Sequence, residues 1–186
     1  MSNKPKYWNR AKKILSKKDK VMRKLINNYK DKSLITRNDV FYSLCMSITG
    51  QQLSISSASA IFKRFQKKVG KITPTRVSKL SISQIKSCGM TKQKAKGIKE
   101  LAAKMIRKEF NPKLINKMSD EEAIEYLSEL RQIGRWSAEM ILLFTFNRSN
   151  IWPLQDIGLL RAISNNYNKK YFPPKIFLDK LYKKFT

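Results

Sequence analysis

Apolar side chains recur at three- and four-residue spacing along almost the whole chain, in eight segments: Tyr7 to Asn28, Val40 to Thr49, Ser56 to Val69, Lys92 to Phe110, Glu121 to Leu130, Arg135 to Phe146, Ile157 to Ser164 and Lys175 to Phe185. That period lines one face of a helix. No alternating run of convincing length competes with it, so the chain is predicted to be all-α. Breakers fall between the segments at Gly50, Gly70, Gly89, Pro112, Gly134, Pro153 and Pro173-Pro174. Start signals agree: Thr73-Pro74 offers a cap and a first-turn proline, and Ser81 with Gln84 and Ser119 with Glu122 fit the capping box, in which two side chains satisfy orphan amides reciprocally. No tandem repeat or low-complexity linker divides the 186 residues, a length that suits one domain or two small lobes sharing a core.

Composition then removes most chemistry. There is no histidine, which excludes imidazole bases, Ser-His-Asp triads, HExxH zinc sites and haem held by a proximal histidine. The two cysteines, Cys45 and Cys88, are too few for a four-thiolate zinc site or an iron–sulfur cluster and are not spaced as a CxxC pair, so they read as buried structural thiols in a reducing compartment. No cofactor or catalytic metal is expected. The 40 Lys and Arg against 13 Asp and Glu leave a formal charge of +27, which calls for a polyanionic partner, nucleic acid first because cations displace its condensed counterions. Anionic lipid, or lysine enrichment from an AT-rich genome without any partner, would also produce such a surplus. The longest apolar stretch, Met140 to Phe146, is far short of the ~20 residues that span a bilayer, and the lysine-rich start has no apolar h-region. A cytoplasmic protein, or a nuclear one in a eukaryote, is expected, with no membrane partner.

Three segments carry functional signal. In SDEEAIEYLSELRQIGRWSAEMILLFTF, Ser119 to Phe146, a capped helix, a short glycine-containing turn and a second apolar helix form a helix-hairpin-helix. The amides around Ile133, Gly134, Arg135 and Trp136, with the positive end of the second helix, suit a phosphate without reading any base. An ordinary helical hairpin, with glycine ending its first helix, fits the turn equally well. In NRSNIWPLQDIGLLRAI, Asn147 to Ile163, Asp156 precedes an apolar helix, where an N-cap is the routine role. With no histidine and no metal cluster, however, hydrolytic chemistry would fall to a carboxylate, and Asp156 is flanked by Trp152, Leu154, Ile157 and Leu159. Such a group at the edge of an apolar site stabilises a developing cation. In DVFYSLCMSITGQQLSISSASAIFKRF, Asp39 to Phe65, a polar turn Gly50 to Ser54 joins two amphipathic helices. A plain connection is the simpler reading; a side chain that enters a duplex at a vacated base position is the functional one.

The order of GQQLSISSASAIFKRF, CGMTKQKAKGIKELA, LRQIGRWSAEMILLF and IWPLQDIGLLRA resembles the alkylated-base DNA glycosylases of the helix-hairpin-helix superfamily, of the 3-methyladenine DNA glycosylase II type. The likeness runs from about Tyr7-Trp8 to beyond Asp156, which stands twenty positions after Trp136. It implies a two-lobed all-α fold with an interlobe cleft and removal of damaged bases by cleavage of the N-glycosidic bond. The lysine-rich first 37 residues read as a basic amphipathic helix packed on the body, or as a partly frayed arm (1–37), and the resemblance adds a helical lobe carrying a gap-plugging loop (38–118) and the hairpin with the catalytic segment and C-terminal helix (119–186).

By position the resemblance implies Asp156 as catalytic aspartate, Trp136 with Trp152 and Tyr42 at a base pocket, and Gln52 with Leu53 as the plug of the gap. Ile133, Gly134, Arg135 and Ser137 match the phosphate-holding hairpin, and Thr91 and Lys94 a second backbone contact in which Lys92 and Lys94 supply charge. The implied partner is double-stranded DNA containing alkylated bases, bound by a monomer. Superfamily members that also cut the strand through a Schiff base carry lysine where this chain has Trp136, so no lyase step is expected. The family's hairpin usually reads Leu-Pro-Gly-Ile-Gly. Here Leu130-Arg131-Gln132-Ile133-Gly134 puts Gln132 at the first glycine; a positive φ there would strain it, while Arg131 adds a cation. Relatives usually continue past Phe185-Thr186 into an aromatic-rich helix, and the N-terminal β-domain of some members is not found in this sequence. Besides a glycosylase, a non-catalytic helix-hairpin-helix DNA-binding protein, with Asp156 only a cap, and an RNA or nucleoid-packaging protein using bulk charge fit the sequence.

Overall fold

The structure, a computed structural model, describes residues 4–185, and every regular element among them is helical. The order is α1 (Trp8–Lys18), α2 (Lys20–Asn28), α3 (Val40–Gly50), α4 (Ile55–Val69), α5 (Pro74–Ser78), α6 (Ile82–Lys86), α7 (Lys92–Ile106), a 3-10 turn Pro112–Lys117, α8 (Asp120–Ser128), α9 (Arg135–Phe144), α10 (Ile157–Asn166) and α11 (Lys175–Phe185). Both expected capping boxes form, at Ser81 with Gln84 and at Ser119 with Glu122, and Thr73 caps α5 with Pro74 in its first turn. One expected helix is two. The apolar period from Tyr7 to Asn28 is interrupted at Asp19, whose extended backbone (φ −148°, ψ 131°) ends α1 and whose carboxylate accepts from the Met22 amide to start α2. A side chain that competes with the helix backbone in this way breaks a run that periodicity alone would continue.

The helices gather into two compact units, Arg37–Phe146 and the described residues on either side of it. The hairpin helices α8 and α9 pack on each other, and α3 packs on α4, α7 and α9, so hairpin and loop belong to one unit. Its core includes Leu44, Ile48, Phe65, Ile98, Leu127 and Leu142, all essentially without solvent contact, and both cysteines are buried in it. In the other unit α1 packs on α2 and α11, and Leu160, Ile163, Leu178 and Leu181 of α10 and α11 form a cluster with Trp152, Tyr167 and Phe177 against it. Asp19 is the polar knot of that unit. It is 6% exposed and accepts from Met22 N (2.9 Å), Tyr167 Oη (3.0 Å) and Lys184 Nζ (2.5 Å). Burial pushes its carboxyl up, but these donors more than offset that, leaving it below the ordinary carboxylate value. No helix among the described residues is long and apolar enough to cross a membrane.

Candidate active site and DNA interface

In the unit Arg37–Phe146, three stretches singled out by sequence are tied together by side chains. The loop after α3 is a tight turn in which Leu53 N donates to Gly50 O (3.2 Å). Gln51 is extended (φ −54°, ψ 133°) and Gln52 left-handed (φ 57°), the pattern of a type II turn with glutamine at the place glycine favours. Gln52 and Leu53 are exposed at its tip, and Ser54 then caps α4 by accepting from Ser57 N. Behind the turn, Gln51 Nε2 donates to the carbonyl of Gln132 (2.5 Å) and to Ser137 Oγ (3.3 Å).

Lys94 supports the same turn from α7. Its ammonium donates to Thr49 O (2.9 Å) and Gln51 O (2.6 Å), the carbonyl end of α3, where a cation meets the negative pole of the helix. The residue is 9% exposed, and burial lowers its pKa from the usual lysine value. Its charge is thus spent inside the protein instead of facing a phosphate. Thr91 caps α7 by accepting from Lys94 N (3.3 Å), and Lys92 is exposed beside it. A spacing signal for the inward lysine exists: Lys94 shares the buried stripe of α7 with Ile98 and Leu101, four and seven residues on.

The hairpin turn differs from the sequence expectation in its details. Gln132 has φ 69°, so the position where the family pattern has glycine does demand the left-handed region. Ile133 N donates to Leu130 O (2.9 Å), which closes the turn and takes that amide away from any ligand. Gly134 begins α9 with no side-chain cap, and a Cβ built on it would meet nothing within 4 Å, leaving the first-turn amides approachable. The cations flanking the turn are engaged. Arg131 reaches Gln93 Oε1 (2.6 Å) and Glu100 (4.0 Å); Arg135 holds Glu121 (2.5 and 2.9 Å) and Glu139 (3.3 Å). Glu139 is 4% exposed; burial pushes its carboxyl up, and Arg135 offsets only part of that. Ser137 is buried against Gln51, whereas Trp136 in the first turn of α9 is 38% exposed. Tyr42 lies on α3, half-buried, edge-on to Phe62 with ring centroids 5.1 Å apart.

The other unit holds Asp156 and Trp152. Asp156 caps α10, its Oδ1 accepting from Leu159 N (2.7 Å), and its own amide donates to Pro153 O (2.9 Å). A Cβ on Gly158 would lie 3.0 Å from Asp156 Oδ1, so a side chain there would crowd the carboxylate. Trp152 packs on the α10/α11 cluster, 5.9 Å from the Tyr182 ring. Among the described residues no group of three or more acidic or cysteine side chains could hold a metal ion.

Residues 45–185 match the family described as HhH-GPD superfamily base excision DNA repair protein. The chain belongs to that superfamily. Its HhH-GPD membership extends to individual relatives. It is 31% identical over 157 residues to DNA-3-methyladenine glycosylase 1 of Schizosaccharomyces pombe, an alignment covering 82% of this chain and 67% of that protein. The fold agrees: the structure of the S. pombe 3-methyladenine DNA glycosylase in complex with abasic DNA superposes with a TM-score of 0.80 at 26% identity, over 95% of this chain and 89% of that one. A DNA-3-methyladenine glycosidase from Bacillus halodurans superposes at 0.78 with 25% identity, over 100% and 86%. For an HhH-GPD protein, then, the all-α fold of two helical units holds, and its partner is DNA. Gln51, Glu121 and Glu139 are among the side chains about its hairpin and loop that the motif reading did not single out.

Proposed function

We propose that the protein is a monofunctional DNA glycosylase that extrudes alkylated purines, such as 3-methyladenine and 7-methylguanine, from double-stranded DNA and hydrolyses the N-glycosidic bond. Extrusion is needed because the bond is shielded in a stacked duplex; it costs a few kcal/mol, less at a lesion. Gln52 and Leu53 occupy the vacated space. The amides at the start of α9, around Gly134, Arg135 and Ser137, and at the start of α7 after Thr91, hold the backbone, with Ile133 shaping the turn. Lys94 contributes its support of the loop instead of its charge. Trp136, with Trp152 and Tyr42, receives the base. An indole face favours a cationic alkylated base by ~0.5–2 kcal/mol, and ring alkylation already makes the base a good leaving group.

As the C1′–N bond breaks, its electron pair leaves with the base and positive charge develops on the sugar. The Asp156 carboxylate stabilises that charge and orients a water, whose oxygen bonds to C1′ and whose proton passes to solvent. Trp136 offers no amine, so no Schiff base forms and the product is an abasic site. The protein acts as a monomer.

The observation that carries this reading is Asp156 at the mouth of α10, in a chain similar to 3-methyladenine glycosylases over most of its length. Asp156→Asn tests it, because asparagine caps a helix as well as aspartate does. Base release from alkylated duplex should fall about a hundredfold or more, with an unchanged melting temperature and no borohydride-trapped adduct in either protein. The cap at Leu159 also favours a second reading, a non-catalytic DNA binder. That reading predicts salt-sensitive duplex binding and no base release by either protein.

A further inference from the structure

We infer that Lys94 and Gln51 are positioning residues that fix the Gln52 turn against the hairpin, so that the plugging side chain enters the duplex in register with the backbone grip. The inference rests on the reading of Gln52 as the plug. Three observations lead to it. The turn carries Gln52 in the left-handed region (φ 57°), and the hairpin carries Gln132 there too (φ 69°), so neither loop is held by its own backbone preference. Such angles persist where surroundings over-determine them, and here the surroundings are two side chains. The Lys94 ammonium closes Thr49 O and Gln51 O (2.9 and 2.6 Å) on the near side of the plug. The Gln51 carboxamide spans from the turn to the Gln132 carbonyl and Ser137 Oγ (2.5 and 3.3 Å), joining residues 81 and 86 positions apart.

Each member makes two hydrogen bonds within the set. A lysine 9% exposed would be costly without acceptors, and the two carbonyls it meets have lost their helical partners at the end of α3. Gln51 gives both of its amide hydrogens to the hairpin side. Gly97 brings α7 close enough for this, since a Cβ there would lie 2.9 Å from Gln132 Cγ and 3.3 Å from Arg131 O. The result is a polar joint in which α3, α7 and the start of α9 share one hydrogen-bonded set. Deleting one partner leaves buried acceptors unmade and frees the turn to relax.

The test uses the full chain and a duplex with a tetrahydrofuran abasic analogue beside a 2-aminopurine. Plug entry unstacks the reporter and raises its fluorescence. Lys94→Met and Gln51→Ala should each weaken binding to this duplex about tenfold and lower the fluorescence end-point, with undamaged duplex bound within about twofold of wild type. Lys94→Arg, which keeps donors at the site, should restore part of the signal. Adding Gln52→Ala to either variant should cost nothing beyond Gln52→Ala alone, because all three act through one side chain. Additive losses, equal losses on damaged and undamaged DNA, or a wild-type protein that gives no signal overturn the inference. If Lys94→Met does not fold, the half-exposed Gln51 decides alone. Base release is measured separately, so a protein that fails to excise but shows the coupled signal refutes the glycosylase and leaves the joint standing.

Discussion

Gln132 and Gln52 hold left-handed backbone angles at which a Cβ costs about 1 kcal/mol or more, and each lies where DNA contact is proposed. The cost at Gln132 was readable from sequence, because the family pattern has glycine there; that at Gln52 was not, since neither spacing nor composition reports a φ angle. Gln132→Gly keeps the carbonyl that Gln51 needs and removes the strain, but adds chain entropy to the unfolded state. The expected net effect is a gain of about 0.5–1 kcal/mol, read as a raised denaturant midpoint at constant m-value. The same change should soften the neighbour. Gly97→Ala places a methyl 2.9 Å from Gln132 Cγ, so its penalty should shrink by about 1 kcal/mol in the Gln132→Gly background. Equal penalties in the two backgrounds would show that the Arg131 carbonyl, 3.3 Å away, is the atom that resists.

Among elements, α9 trades stability for access. Thr73, Ser81, Thr91 and Ser119 cap α5, α6, α7 and α8 with their side chains, whereas Gly134 leaves α9 without a side-chain cap. Its angles, φ −96° and ψ 177°, are extended and open to any residue, so glycine is not needed for conformation. Gly134→Ser should therefore stabilise the protein by roughly 0.3 kcal/mol, seen in the melting curve, and weaken duplex binding by putting a hydroxyl on the amides. Stronger binding together with higher stability would contradict a phosphate role. Helix starts were legible because caps are local and made by named side chains; the α1/α2 break was not, because the apolar period runs on through Asp19, whose carboxylate caps α2 and is also held by Tyr167 and Lys184 far along the chain. Asp19→Asn keeps the cap and loses the ion pair, at a cost of about 1 kcal/mol with Lys184 partly exposed. The folded carboxyl lies below its unfolded value, so its stabilisation is present above that unfolded value and is lost as pH falls through the folded one. Acid titration of stability should accordingly be flatter in Asp19→Asn than in wild type.

Over the whole molecule the surplus of +27 is divided unevenly. The unit Arg37–Phe146 has 20 cationic and 9 acidic residues, and the remainder of the chain has 20 and 4. Counting charges could announce a polyanion but could not say which cations face it, because a lysine of α7 looks the same whether it turns in or out. Lys94 turns in, onto carbonyls; Lys92, two residues earlier, is exposed in the first turn, where the helix dipole disfavours a cation and no acid accompanies it. Arg131 and Arg135 sit at the hairpin but are already held by Glu100, Glu121 and Glu139. Counterion release makes this distinction measurable, since each cation that neutralises a phosphate contributes about 0.9 to the slope of log K against log salt. Binding of undamaged duplex should weaken steeply with salt in the wild type. Lys92→Ala should lower the slope by about 0.9, and Lys94→Met should leave it unchanged, because a buried ammonium displaces no counterion from DNA. Titrations at four or five salt concentrations decide it: a slope that drops equally for both variants would place the Lys94 charge on the DNA, and one that drops for neither would make the lysines of α7 bystanders to a grip exerted by backbone amides alone.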